Sequence, residues 1–250
     1  MMKQSVVFRD LGHVDYKSAW DYQERLLLEN VQAKTEIRNQ KSEPVFSLSQ
    51  FNTDDREQGT KNYLLFVEHP PVFTLGKSGN IHNVLLSEER LKEKGIEFFR
   101  TNRGGDITFH GPQQIVGYPI LDLEKFDTDI GHYLRNLEEV IILTLAEYGI
   151  AGGRSKGETG VWIDAAVKGK ERKICAIGVR CSRWITMHGF AFNVNTNLSY
   201  FNHIIPCGIQ NKHVTSLQRE LGREIDFDEA KEYVKKNFEK VFDVDLVREP

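Results

Sequence analysis

The sequence predicts one α+β domain over residues 1–250, built on a mixed, mostly antiparallel sheet flanked by helices. Three observations carry that prediction. Runs rich in β-branched and aromatic residues, at 160–164, 173–180 and 184–194, are separated by polar turns such as Val167-Lys168-Gly169-Lys170, the pattern of strands joined by hairpins. Apolar residues recur at helical spacing over 129–148 and 228–242. No internal repeat, low-complexity linker or change of composition divides the chain after residue 61, which fits a single layered core.

The elements follow in order. Val6 to Phe8 reads as a short strand. Asp15 is placed to cap a helix through Tyr16, Ala19, Trp20, Gln23, Leu26, Leu27 and Val31, an apolar stripe assigned wholly to the core. From Lys34 to Lys61 the chain turns polar, with little to bury, and reads as a surface loop insertion at about 34–61. Tyr63–Glu68 and Val72–Leu75 are strand-like, separated by His69-Pro70-Pro71, where a residue preceding proline is held extended. Ser87 caps a short helix over 88–94 that Gly95 closes. Strands are expected at 97–101, 106–109 and 114–121, a main core helix at 129–148 stopped by Gly149, and an amphipathic helix at 228–242.

At 250 residues and 40% hydrophobic content the chain can build a substantial core. A formal charge of −3 argues against bulk nucleic-acid binding, which calls for a net basic face. The first residues meet charge long before a signal-peptide core could form, and no apolar run reaches 18 residues, so the expected location is cytoplasmic. Cys175, Cys181 and Cys207 form no C-x-x-C pair; reduced thiols are expected, with no disulfide framework, no cysteine-rich metal site and no cofactor.

Three segments are richer in chemistry than structure alone requires. The first is Arg103-Gly104-Gly105-Asp106-Ile107-Thr108-Phe109-His110-Gly111-Pro112, where glycines permit close backbone approach to a ligand and polar groups alternate with apolar ones. The second places Lys173 at the start of an apolar strand that runs through Ala176 and Ile177 to Gly178; a strand-edge lysine is also a common solvated guard against edge pairing. The third is Pro206-Cys207-Gly208, a turn suited to displaying a thiol. Gly76-Lys77-Ser78-Gly79 is no phosphate loop, because Pro71 stands where the Walker pattern requires glycine. A nucleophilic cysteine needs a proton partner. By residue type, Lys173, His110, His188 and His203 are all candidates, and a Cys-His protease arrangement stays open.

Taken together, Leu75 to Gly79, Arg103 to Pro112, Tyr118-Pro119-Ile120, Lys173 to Gly178, His188-Gly189-Phe190-Ala191 with Asn193, Pro206 to Ile209 and Val214 to Leu217 resemble, in order, the lipoyl(octanoyl) transferases of lipoate assembly. The likeness spans roughly residues 60 to 220. Gln113 stands where that family usually carries a second glycine after His-Gly-Pro, and the polar 34–61 segment is longer than the family needs.

The resemblance implies the fold of the biotin and lipoate protein ligase catalytic domain. It also implies transfer of an octanoyl group from octanoyl-acyl carrier protein to a lysine of lipoyl domains, those of 2-oxoacid dehydrogenase complexes and of the glycine cleavage H protein. Cys207 would be the nucleophile and Lys173 its acid/base partner. Arg103, Gly104, Gly105, Asp106, Ile107, Thr108, Phe109 and His110, with Ala176, Ile177, Gly178, Gly189, Phe190 and Ala191, would line the acyl site. In water a thiol (about 8.5) and a lysine amine (about 10.4) share a proton in favour of the amine by roughly 2.6 kcal/mol, and burial favours the neutral pair instead. Arg154, Lys156, Lys168, Lys170 and Arg172 would form a basic docking rim for acidic carrier domains. The alternatives are an ATP-dependent ligase of the lipoate or biotin type and a carrier-domain binder without catalysis.

Overall fold

The β-rich runs assemble into two sheets in the computed structural model, which describes residues 3–42, 59–205 and 213–248. In chain order the elements are β1 (Gln4–His13), α1 (Tyr16–Ser42), β2 (Asn62–Glu68), β3 (Val72–Leu75), α2 (Glu88–Glu93), β4 (Glu97–Arg100), β5 (Ile107–His110), β6 (Gln114–Ile120) and α3 (Ile130–Glu147). Then follow β7 (Gly152–Gly153), β8 (Val161–Ile163), β9 (Arg172–Ser182), β10 (Ile185–Asn193), β11 (His213–Val214), α4 (Leu217–Leu221), α5 (Phe227–Phe242) and β12 (Val244–Val247).

The larger sheet runs β12-β1-β2-β6-β10-β9-β8-β7, with β11 added alongside β9. Its β1–β12, β1–β2 and β9–β11 pairs are parallel and the rest antiparallel, as the sequence predicts for a mixed, mostly antiparallel sheet. The smaller sheet is β4-β3-β5.

Strand β2 shows why helices cover both faces of the large sheet. Its residues are apolar on both sides, a pattern that only a doubly covered strand tolerates. Leu64 and Phe66 enter a core with Leu137, Val140 and Ile141 of α3 and Val234 and Phe238 of α5. Tyr63, Leu65 and Val67 pack instead with Ala19, Leu26 and Leu27 of α1. The predicted caps hold: Asp15 accepts from Ser18 N and Ser87 from Arg90 N; Asp129, just before α3, accepts from His132 N in the same way, each satisfying an amide that the helix leaves without a partner.

Helix α1 corrects the reading of 34–61 as loop. It continues to Ser42, and residues 43–58 lie outside the described part. The reason is Lys34, which is buried and forms ion pairs with Asp122 and Glu124 while donating to Arg183 O at 3.0 Å. Asp122 also accepts from Thr60 Oγ1 at 2.8 Å. The polar residues that look unburiable in sequence are thus buried as partners. This cluster braces the β9–β10 hairpin, whose turn residues Arg183 and Trp184 both have positive φ (50° and 66°), the backbone of a two-residue turn whose twist matches the strands. Four pieces escape the sequence reading: β7, β11, α4 and the edge strand β12.

Removing one partner of a buried pair strands the other charge. Lys34→Ala should therefore cost about 3–5 kcal/mol of unfolding free energy by urea titration; a loss below about 1 kcal/mol would show that Thr60 and the backbone suffice for Asp122.

Candidate functional site

The run Arg103 to Asp106 bridges the two sheets. Gly104 N donates to Val179 O of β9 at 2.9 Å, while the turn after β3 lies against the same run through Gly76 N to Asp106 O (3.1 Å) and Lys77 N to Arg103 O (2.9 Å). The Gly-Lys-Ser-Gly segment is therefore a backbone brace. A Cβ on Gly76 would stand 2.2 Å from Gly105 O, and one on Gly178 would stand 2.7 Å from Gly104 O. Only glycine allows these approaches. The buried Arg103 guanidinium spends its donors on Thr74 O (2.6 Å), Thr74 Oγ1 (2.9 Å) and Gly104 O (2.9 Å), so it holds the loop as well as lining the site.

Where the bridge meets the large sheet there is a cavity of about 650 Å³. Of the acyl-site residues expected from sequence, Arg103, Gly104, Gly105, Asp106, Ile107, Thr108 and His110 line it from the bridge and β5. Ala176, Ile177 and Gly178 line it from β9, and Gly189, Phe190 and Ala191 from β10. Phe109 is the exception. Its ring is buried in the core of the small sheet, stacked on Tyr200 at 4.6 Å and edge-on to Phe73 and Phe201, because alternation along β5 turns Phe109 away from the face that carries Thr108 and His110.

Lys173 also lines the cavity. Its Nζ donates to Thr159 O at 3.2 Å and lies 4.6 Å from the centre of the Trp162 ring. Trp162 faces Lys173 across a β-bulge in the β8–β9 pairing, and Thr215 N donates to Lys173 O at 2.9 Å on the other side. Pro206, Cys207, Gly208 and Ile209 lie outside the described residues. The chain on either side of them lines the cavity through Phe201 and Val214. Cys175 is buried, and burial pushes its thiol well above the ordinary range, which suits a core residue and not a nucleophile.

The sequence reading offers His188 only as a proton-partner candidate and Tyr118 and Asn193 only within motifs, and it does not join them into the polar layer that stands on the α1 side. Tyr16, Gln114, Tyr118, His188 and Asn193 line the cavity beside His110. His69 Nδ1 lies 2.7 Å from Val14 O and its Nε2 lies 2.7 Å from the Tyr118 hydroxyl. His110 contacts Thr74 Oγ1 (3.2 Å) and Gln114 Oε1 (3.0 Å), and Gln114 donates onward to Asn193 Oδ1 (2.8 Å). Tyr16 stacks on His110 at 5.9 Å. His188 has a positive φ of 58°, its amide donates to Gln23 Oε1 rather than to β6, and its Nε2 meets Asn102 Oδ1 at 2.7 Å. Tyr16 and Gln23 are hidden in sequence because their α1 positions fit a core stripe.

This layer is held uncharged. Burial, with the nearby Arg103 and Arg180 guanidiniums, lowers His188 to about 3, and burial lowers His69 to about 4. His110 sits well below the usual imidazole value, through burial first and then His69 and Arg103. Burial raises the Tyr16 hydroxyl to about 12 against the pull of Arg103.

Gln113, the departure from the glycine pattern, has a positive φ of 62°. Four hydrogen bonds hold it there: its N–H donates to Glu68 Oε2 (2.7 Å), its carbonyl accepts from Asn195 N (3.1 Å) and Thr196 Oγ1 (3.0 Å), and its side-chain oxygen accepts from Asn195 Nδ2 (2.8 Å). Of the expected basic rim, Arg154 is tied to Glu138 and Glu139, and Arg172 to Asp164 and Glu220. Lys156, Lys168 and Lys170 are exposed. No helix among the described residues is long and apolar enough to cross a membrane.

The model of the lipoyl protein ligase A/B catalytic domain matches residues 15–239. The chain is 56% identical over 247 residues to an octanoyltransferase of Flavobacterium psychrophilum, covering 98% of this chain and 100% of that one. It is 54% identical over 246 residues to an octanoyltransferase of Christiangramia forsetii, covering 98% and 99%. In fold it is similar to the bipartite lipoate protein ligase of Thermoplasma acidophilum (TM-score 0.66, 15% identity, covering 100% of this chain and 87% of that one). It is similar also to a lipoate-protein ligase A bound with ATP (TM-score 0.65, 14% identity, covering 99% and 89%).

The neutral histidines set an acid limit on stability. An unfolded chain takes up these protons near about pH 6.5, whereas the folded one excludes them down to about 4 at His69 and about 3 at His188. Their contribution is complete above the unfolded value and is lost as pH falls toward the folded ones, by up to about 1.4 kcal/mol per pH unit for each group. The melting temperature should fall steadily from about pH 6.5 to about pH 5, and less steeply in His69→Gln. A flat profile in the unsubstituted protein would contradict a neutral histidine layer.

Proposed function

We propose, for a chain that belongs to the lipoyl protein ligase A/B catalytic-domain family and among its members to the octanoyltransferases, that it moves an octanoyl group from the thiol of octanoyl-acyl carrier protein to a lysine of lipoyl domains. The observation that carries this reading is Lys173 in the wall of a cavity whose β9 and β10 side offers small and apolar residues, Ala176, Gly178, Gly189 and Ala191 among them. Phe201 and Val214, on the two sides of the segment that contains Cys207, line the same space.

In this reading Cys207 attacks the donor thioester and Lys173 takes its proton. The carrier thiol leaves with a proton, and octanoyl remains on Cys207 as a thioester. Lys173, having passed the first proton to the departing carrier thiol, takes another from the acceptor lysine as its neutral amine attacks. It hands this proton to the Cys207 sulfur, which leaves as the thiol while the amide forms. Exchange between thioesters is close to neutral in energy and amide formation is downhill, so the sequence needs no nucleotide. Two half-reactions with a covalent intermediate give ping-pong kinetics. The neutral polar layer suits an uncharged acyl group, since buried charge there would cost desolvation with no counter-charge on the substrate.

The fold shared with a ligase that binds ATP makes nucleotide dependence the reading to set against this one. Intact-mass measurement after incubation with octanoyl-acyl carrier protein separates them. The expected result is an octanoyl adduct formed without ATP and absent in Cys207→Ser; a strict ATP requirement would favour the ligase, and no adduct at all a binding protein.

Glycine replacements test the wall. At Gly104 a Cβ would meet only Val179 O, at an ordinary 3.5 Å, whereas at Gly178 it would meet backbone at 2.7 Å. Gly178→Val should therefore abolish acyl loading and Gly104→Ala should not; equal loading by both would refute the close approach. Reversing charge at Lys168 and Lys170 together should raise KM for the carrier protein at low salt and leave kcat unchanged. A KM that does not respond to salt would remove the docking rim.

A further inference from the structure

Resting on Lys173 as the acid/base group, the geometry points to Glu138 of α3 as the positioning residue that holds Lys173 in place, acting through the loop 157–160. Glu138 is fully buried, and a carboxylate in that state requires partners for both oxygens. Oε1 accepts from Gly160 N at 3.0 Å. Oε2 accepts from Arg154 Nε at 2.9 Å and forms an ion pair with Arg135 Nη1 at 2.7 Å. The two arginines neutralise the charge, and the bond to Gly160 anchors a loop.

That loop lies across Lys173. Gly160 has a φ of 120°, and a Cβ there would stand 2.6 Å from Cys175 O and 3.4 Å from Lys173 Cε, so the loop is seated directly on β9. The preceding carbonyl, Thr159 O, is the one that accepts from Lys173 Nζ. The Trp162 ring, two residues beyond Gly160, supports the same amine. One carboxylate on a core helix thus fixes the backbone that supplies the Lys173 acceptor. An ammonium has three donors in rotatable positions, and a lysine on a four-carbon stem is otherwise poorly located. A fixed carbonyl on one side and a ring face on the other are two of the contacts that set where the amine stands relative to the cavity.

The two arginines are not trapped by this arrangement. Their side chains are 43% (Arg135) and 35% (Arg154) exposed, so they can turn to water when the carboxylate is removed. Glu138→Met keeps the volume and deletes the acceptor, whereas Glu138→Gln keeps an oxygen for Gly160 N–H. The Met variant should lower kcat for octanoyl transfer on the order of 100-fold, the scale of an ångström-sized misplacement, with KM for octanoyl-acyl carrier protein unchanged. The Gln variant should restore kcat to the unsubstituted level.

In a Lys173→Ala background, Glu138→Met should add no further loss. Equal impairment by Met and Gln, or losses from Glu138→Met and Lys173→Ala that multiply, would overturn the positioning role while leaving Lys173 catalytic. Wild-type transfer by Lys173→Ala alone would instead overturn the acid/base reading, and this proposal with it. Should Glu138→Met fail to fold, hydrogen exchange in the unsubstituted protein decides. The Gly160 amide should be protected to the level of the α3 core amides, and exchange at the rate of an open loop would overturn the anchor.

Discussion

The close backbone contact between the Arg103–Gly105 run and the glycines at 76 and 178 is the constraint on which the rest of this structure depends. It joins a three-stranded sheet to a much larger one without a shared strand. Side chains at Gly76 or Gly178 would drive into carbonyl oxygens at 2.2 and 2.7 Å, so the two sheets meet at this distance only because those positions lack Cβ atoms. Arg103 locks the contact by donating to Thr74 on one sheet and to Gly104 within the run. The cavity is the space this contact leaves against β6, β9 and β10.

Two kinds of wall follow from the way the strands are covered. Facing α1, tyrosine, histidine, glutamine and asparagine side chains satisfy one another through short contacts and stay neutral. A buried polar network is tolerable when its members are paired, and neutrality avoids placing a further charge beside Arg103. On β9 and β10 the wall is made of small and apolar residues, with Lys173 at its edge. An acyl chain and a single amine suit such a surface. The glycine-lysine turn that resembles a phosphate loop spends its amides on Arg103, Gly105 and Asp106.

The location of Lys173 shows how far the support for one group extends. Its amine meets Thr159 O, that loop is seated by Gly160, and Gly160 is anchored by Glu138 twenty-two residues earlier on a helix that otherwise packs the core. The same helix carries Ile130 and Leu134 to the cavity. Helix packing and the geometry of the amine are therefore one structural problem, and a substitution judged purely structural on α3 would reach the site through a single amide hydrogen bond.

The sequence by itself determined the local elements, their caps and most of the wall. Periodicity of apolar residues fixed where β2, α3, β9, β10 and α5 run, and the Arg103 to His110 motif already contained seven residues that line the cavity, because strand and helix patterns are local properties of the chain. Tertiary structure alone decided which groups were partners. Lys34 reads as loop until Asp122 is brought to it, Tyr16 reads as core until His110 stacks on it, and Phe109 reads as site until the small sheet claims its ring. Glu138 gives no signal at all in sequence. The physical reason is common to all four: a buried polar or aromatic group is defined by what lies opposite it, and that neighbour comes from a distant part of the chain whose position only the packed sheets set.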